Sequence, residues 1–174
     1  IVAAAERRMR EGGFHGFSFR EIAADVGIKS ASVHHHFPTK EHLGAAVIKA
    51  YTKRFLEALG DPNDARRTPR ALLRYYVDCY RRALGKDWQM CLCGVITCER
   101  MSLPADVAQA AAEYFERNVA WLEPVLRRKS PLAKIEAIRA EALRIITLLE
   151  GAMLVTKALN DNRAFELAAK SILQ

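Results

Sequence analysis

Apolar residues recur at spacings of three and four along most of the chain, and no stretch alternates apolar with polar residues long enough to form a strand. The pattern predicts an all-α protein of about nine helices. The first is already under way at Ile1 and closes at Gly12, Gly13 and Gly16, so an upstream arm is expected before it. Ser18-Phe19-Arg20-Glu21 has the form of a capping box, in which the serine oxygen accepts from a free amide and the glutamate three positions on reaches back. A short helix is expected from there to Gly27, where glycine can take the positive φ of a tight turn. Another, about 30–37, stops against Pro38, and Thr39 caps a longer one to about Leu59. GDPNDARRTP, 60–69, with two prolines and a glycine among polar residues, is the candidate linker and domain boundary. Further helices are predicted over 69–85, 88–101, 104–128, 132–159 and 161–173.

Composition agrees with a globular helical chain: 174 residues, 51% hydrophobic and 27% charged, rich in Ala, Leu, Arg and Glu. No apolar run approaches the roughly 18 to 20 residues that cross a bilayer, so no membrane partner is expected and the reading is cytoplasmic. Cys79, Cys91, Cys93 and Cys98 fall within twenty positions and are read as reduced thiols. The formal charge of +7 permits an anionic partner without locating it. Residues 1–60 hold nine Lys and Arg against six Asp and Glu, and residues 61–174 hold eighteen against fourteen. Histidine is the more telling residue, because all five lie in the first 42 positions.

Two short helices joined by a glycine turn, 18–26 and 30–37, match a helix-turn-helix whose second helix is offered to the major groove of double-stranded DNA. Ile22, Ala23, Val26, Ile28, Val33 and Phe37 are expected to form its small core, leaving Lys29, Ser30, Ser32, His34 and His35 toward solvent. Hydroxyls and imidazoles bond base edges or phosphates, and lysine adds charge. The run His34-His35-His36 could also bind metal, but adjacent helical residues diverge by about 100° and cannot converge on one ion. His36 is read as a packed or capping side chain. No nucleophile and base pair, phosphate loop or metal spacing is present, so neither an enzyme nor a cofactor is expected.

GFHGFSFREIAADVGIKSASVHHHFPTKEHLGAAV resembles the DNA-binding head of the tetracycline-repressor (TetR) family of bacterial transcriptional regulators. The likeness runs through residues 1 to about 48, and CLCGVITCERMSLPADV is similar to a segment of some members. The resemblance implies a homodimer in which residues 1–48 form a three-helix head and a connecting helix leads into a ligand-binding and dimerisation body, 49–174. The dimer binds a palindromic operator, usually as a repressor. By position, Ser18 and Arg20 match residues near phosphates and base edges. Ser30, Ala31 and Ser32 match the front of the recognition helix, His34 and His35 its next exposed pair, and Lys40 a phosphate lysine. His34 stands where many members have tyrosine.

In the body, ALRIITLLEGAMLV, 142–155, is apolar nearly all round a helical wheel and must be covered on several sides. It is either a core helix of a monomer or a helix shared between the core and a symmetry mate. The second alternative makes Ile145, Leu148, Leu149, Ala152 and Met153, with Phe165, Ala168 and Ile172, a dimer contact. Tyr75, Tyr76, Tyr80, Trp88, Cys91, Cys98, Met101, Phe115 and Trp121 are candidates for lining a site for a small, mainly apolar effector, or else ordinary core. The cysteines leave open a redox or electrophile sensor, and, as the competing class, a helical redox enzyme in which the thiols do the chemistry.

Overall fold

The computed structural model describes residues 1–85 and 90–174. Among these it is all α, with nine helices and no strand. They are α1 (Val2–Gly12), α2 (Phe19–Val26), α3 (Ser30–His36), α4 (Lys40–Leu59), α5 (Pro69–Leu84), α6 (Leu92–Thr97), α7 (Ala105–Lys129), α8 (Ile135–Leu159) and α9 (Arg163–Leu173). None of the described helices is long and apolar enough to cross a membrane.

The helix starts follow local chemistry. Ser18 accepts the Glu21 amide at 3.3 Å, the Thr39 hydroxyl accepts the His42 amide at 3.3 Å, and Thr68 accepts the Ala71 amide at 3.2 Å ahead of Pro69. Asn160 takes the left-handed conformation, φ 51°, and turns the chain from α8 into α9. Helix α6 is shorter than the predicted 88–101. Gly94 and the β-branched run Val95-Ile96-Thr97 hold helix poorly, and the chain passes into tight turns in which the Cys98, Glu99 and Arg100 amides reach back three residues.

The chain forms two compact units. The first joins Ile1–Phe55 to Leu92–Tyr114, and the second joins Leu56–Cys91 to Phe115–Gln174, so α4 and α7 each contribute to both. Met9, Phe14, Ile22, Val33, Leu43, Ile48 and Ile96 are buried in the first. Leu72, Tyr76, Leu122, Ile145, Leu149, Met153 and Phe165 are buried in the second. The turn at 60–68, expected as a linker and boundary, lies wholly within the second unit. Arg128 donates to the carbonyls of Pro62 and Arg67 at 2.9 and 2.6 Å, and the Trp121 indole donates to Gly60 at 2.8 Å. A turn whose carbonyls are held by side chains of α7 is part of the packing, not a tether.

Candidate nucleic-acid interface

The α2–turn–α3 pair is built by one cap and one glycine. The Ser18 hydroxyl accepts the Glu21 amide and gives its own proton to the Glu21 carboxylate at 2.8 Å. Gly27 stops α2 in the left-handed conformation, φ 70° and ψ 33°, and no heavy atom lies within 4 Å of where its Cβ would be. Ile22, Ala23 and Val33 pack inward, and Phe37 is half-buried. Val26 and Ile28, expected in this core, are 36% and 40% exposed. They flank the glycine that turns the chain, and the turn carries both side chains outward.

Ser18, Arg20, Lys29, Ala31, Ser32, His34 and His35 are exposed, and Ser30 is half-buried. His36 is exposed as well, so burial does not account for it. The His34 ring sets its edge against Phe19 with centroids 4.5 Å apart, and His35 and His36 meet edge on at 5.6 Å. Lys40 is half-buried, its ammonium 5.0 Å from the Phe14 ring centre and 4.5 Å from that of Phe17. That burial pushes its pKa down.

Two carboxylates stand on α2, and both are neutralised from α1. Arg8 grips Asp25 with Nε and a terminal nitrogen at 2.6 and 2.9 Å and reaches Glu21 at 3.1 Å, while Arg7 adds a contact to Asp25 at 3.1 Å. Hydrogen bonding by Arg8 is the chief reason that the Asp25 carboxyl is pushed down to about 2, and the Ser18 hydroxyl chiefly holds Glu21 below its usual range. Sequence reasoning missed Arg7 and Arg8 because their partners lie 13 to 18 residues away, beyond any local rule.

Sequence reasoning also missed Glu99. Its carboxylate accepts the Phe14 amide at 3.2 Å and occupies the space a Cβ on Gly13 would need, 1.5 Å from that position. Gly13 has φ 71°, and His15 Nε2 lies 3.3 Å from the Ser102 hydroxyl. The turn after α6 therefore clamps the loop between α1 and α2.

Residues 1–47 match the family model described as bacterial regulatory proteins, tetR family. Over nearly its whole length the chain is similar to a TetR transcriptional regulator from Legionella pneumophila, at 31% identity and a TM-score of 0.90, with 98% of this chain and 92% of that one covered. This chain belongs to the TetR family of transcriptional regulators. A TetR-family regulator from Agrobacterium tumefaciens matches at 26% identity and a TM-score of 0.89, covering 99% and 93% of the two chains. A regulatory protein TetR from Rhodobacter sphaeroides shares the fold at 22% identity and a TM-score of 0.88, covering 99% and 94%. A comparison with curated proteins finds no match. The matched residues hold α1, α2, α3 and the start of α4, so this TetR-family member carries its DNA-binding helix-turn-helix head there.

The second unit of the regulator gathers part of the predicted sensor set. Tyr76, Tyr80, Cys91 and Trp121 are buried, and Tyr75 and Phe115 are half-buried. Tyr76 stacks on Trp121 with centroids 5.5 Å apart, tilts against Tyr80 at 5.4 Å and donates from its hydroxyl to Asn118 Oδ1 at 2.9 Å. Burial pushes both tyrosine hydroxyls well above their ordinary range. Asn118, fully buried on α7, was not anticipated. Tyr75 is flanked by the Arg67 and Arg82 guanidinium groups, 4.9 and 5.0 Å from its ring centre. Cys98 and Met101 belong to the first unit and are exposed, Met101 completely, because the chain leaves helix at Thr97. Trp88 lies outside the described residues. None of the four cysteines is in a disulfide, and burial pushes the Cys79 thiol up.

Of the predicted contact set on α8 and α9, Ile145, Leu149, Ala152, Met153, Phe165, Ala168 and Ile172 are buried within this single chain and Leu148 is half-buried. Another face of the same helices remains open. It forms a groove of about 740 Å³ lined by Leu143, Leu148, Gly151, Val155 and Leu167 among others. Leu143 is 46%, Leu154 55% and Leu167 70% exposed.

Proposed function

We propose that this TetR-family regulator is a repressor that works as a homodimer on a palindromic operator and is released by a small, mainly apolar effector. In this reading residues 1–48 are the DNA-binding head and 49–174 the regulatory body of a cytoplasmic binding protein that catalyses nothing. The observation that carries it is α3. Seven residues at 1.5 Å rise make a rod of about 10 Å, matched to a major groove about 12 Å wide. That rod presents Ala31, Ser32, His34 and His35 outward, with Arg20 and Lys29 exposed beside it.

The open groove of α8 and α9 supports pairing. Several large aliphatic side chains in water on adjacent helices form the kind of patch that marks a subunit contact. Arg81 and Glu166 brace α9 against α5 through two hydrogen bonds of 2.8 and 2.9 Å, so the face is preformed. A twofold pair sets two recognition helices about 34 Å apart, one turn of B-DNA. The aromatic cluster around Tyr76, Tyr80 and Trp121, with Asn118 as its polar partner, suits an aromatic effector carrying one hydrogen-bonding group. Its leverage is its preference for one body shape over another, roughly 1 to 3 kcal/mol or about 5- to 150-fold in operator affinity. In this reading the bond from the Phe14 amide to Glu99, in the turn after α6, is one contact through which the body acts on the head.

The test is selection of bound sites from a random duplex pool followed by footprinting. A repressor of this design yields an inverted repeat with half-sites one helical turn or a multiple apart, and protection without sequence preference rejects the reading. A second reading, a thiol sensor, draws on the exposed thiol of Cys98. It requires that a quinone release the operator from the wild type and not from Cys98→Ser.

A further inference from the structure

Residues 1–47 hold six Lys and Arg against five Asp and Glu, and they contain every histidine of the chain. Most of those six cations are engaged. Arg7 and Arg8 neutralise Asp25 and Glu21, Arg10 pairs with Glu6 at 3.3 Å, and Lys40 lies against Phe14 and Phe17. Only Arg20 and Lys29 remain exposed with no ion pair among the described residues. Two free cations are few for a duplex that carries one negative charge about every 1.7 Å of its axis.

The outward surface of α3 is instead a run of imidazoles. His34, His35 and His36 are all exposed, and no described side chain hydrogen-bonds them. The charged groups on the surrounding elements are Arg20, Glu21 and Asp25 of α2, Lys29 at the N-cap of α3, and Lys40, Glu41 and His42 at the start of α4. Arg8 and Arg7 occupy Glu21 and Asp25, and the Thr39 hydroxyl holds Glu41. None of these carboxylates is spent on the three rings. The 100° divergence that keeps consecutive rings from meeting on one ion lets them reach different phosphates and base edges along a groove.

We infer that duplex binding is proton-coupled: His34, His35 and His36 take protons from solvent as α3 meets phosphate, and supply there the charge that the arginines and lysines of the head do not. This rests on the DNA-binding assignment and adds His36 to the interface. Each ring gains an N–H that donates to a phosphate oxygen. Because the bound state holds more protons, affinity rises as pH falls.

The experiment uses the full chain and a fluorescein-labelled duplex of mixed sequence, titrated by anisotropy at pH 8 and pH 6 over a salt series. Binding is expected to be at least about tenfold tighter at pH 6, the worth of one charge-assisted hydrogen bond, and log K to fall more steeply with log salt by about 0.9 for each ring engaged. The triple variant His34→Gln, His35→Gln, His36→Gln changes only exposed side chains and is expected to bind alike at both pH values, with the shallower slope. Calorimetry of the wild type in buffers of different ionisation enthalpy should show net proton uptake on binding, a readout that needs no variant. Equal affinity and slope at the two pH values, zero proton uptake, or a pH effect that survives in the triple variant overturns the proposal and leaves DNA binding intact. Absence of binding at either pH and low salt rejects the DNA-binding assignment itself.

Discussion

Helices α3 and α8 spend their residues in opposite ways. Seven-residue α3 buries Val33 alone and gives the rest of its surface to hydroxyls and imidazoles. Twenty-five-residue α8 buries eight side chains and still leaves Leu143, Leu154, Val155 and Leu159 in water. A short polar rod held by one buried valine and a capped neighbour can be read by a polyanion, because no described residue of its own chain covers it. A long helix apolar on more faces than its own core can cover leaves apolar surface open, the surface proposed above for a second copy. One exposed face offers charge and hydrogen bonds and the other offers area, and substitutions in each should fail differently.

The largest effect is expected on α8 and α9. Leu143→Glu together with Leu167→Glu puts charge on the open groove, and across a twofold axis each change counts twice, so self-association should weaken by at least about 100-fold. Sedimentation would show monomers with unchanged circular dichroism, since both residues are exposed. A dimer that persists would place the contact elsewhere. On the head, Arg20→Ala should lower affinity for mixed-sequence duplex about tenfold and reduce the salt slope by about one while leaving the dimer whole.

Gly13→Ala tests the clamp on the α1–α2 loop. It forces a positive φ on alanine and sets a methyl where the Glu99 carboxylate lies, and should cost about 1 to 3 kcal/mol in denaturant unfolding. A neutral result would mean that the loop and Glu99 move apart freely. The smallest effect is electrostatic. Asp25 has a folded-state pKa depressed from 3.8 to about 2, so its contribution is fully present above about pH 4 and is lost as pH falls through about 2. Urea midpoints of the wild type and Asp25→Asn should differ at pH 5 and converge by pH 2, and a constant gap would show that the Arg8 pair adds nothing.

Much of the fold was legible because its signals are local. Ser18, Thr39 and Thr68 cap amides three residues on, and Gly27 supplies its positive φ within a single residue. The exposure of Ser18, Arg20, Lys29, Ala31, Ser32, His34 and His35 was legible for the same reason, since the facing of a short helix follows from its own period. What was not legible depends on distant partners. Arg8 meets Asp25 17 residues on, Glu99 meets Phe14 across 85, and Tyr76 meets Asn118 across 42. The exposure of Val26 and Ile28 and the turn that carries Met101 into water likewise follow from how neighbouring segments pack, about which an apolar letter in a sequence is silent.

The sequence by itself determined the helical course of the described residues, the pair of short helices around Gly27 and the clustering of every histidine in the first 42 positions, because propensity, caps and periodicity act over a few residues. Only the tertiary structure decided which cations of the head are already paired, which side of α8 is left open and which aromatic rings share a cluster. Those depend on long-range packing, where each side chain's surroundings come from residues far away in the chain.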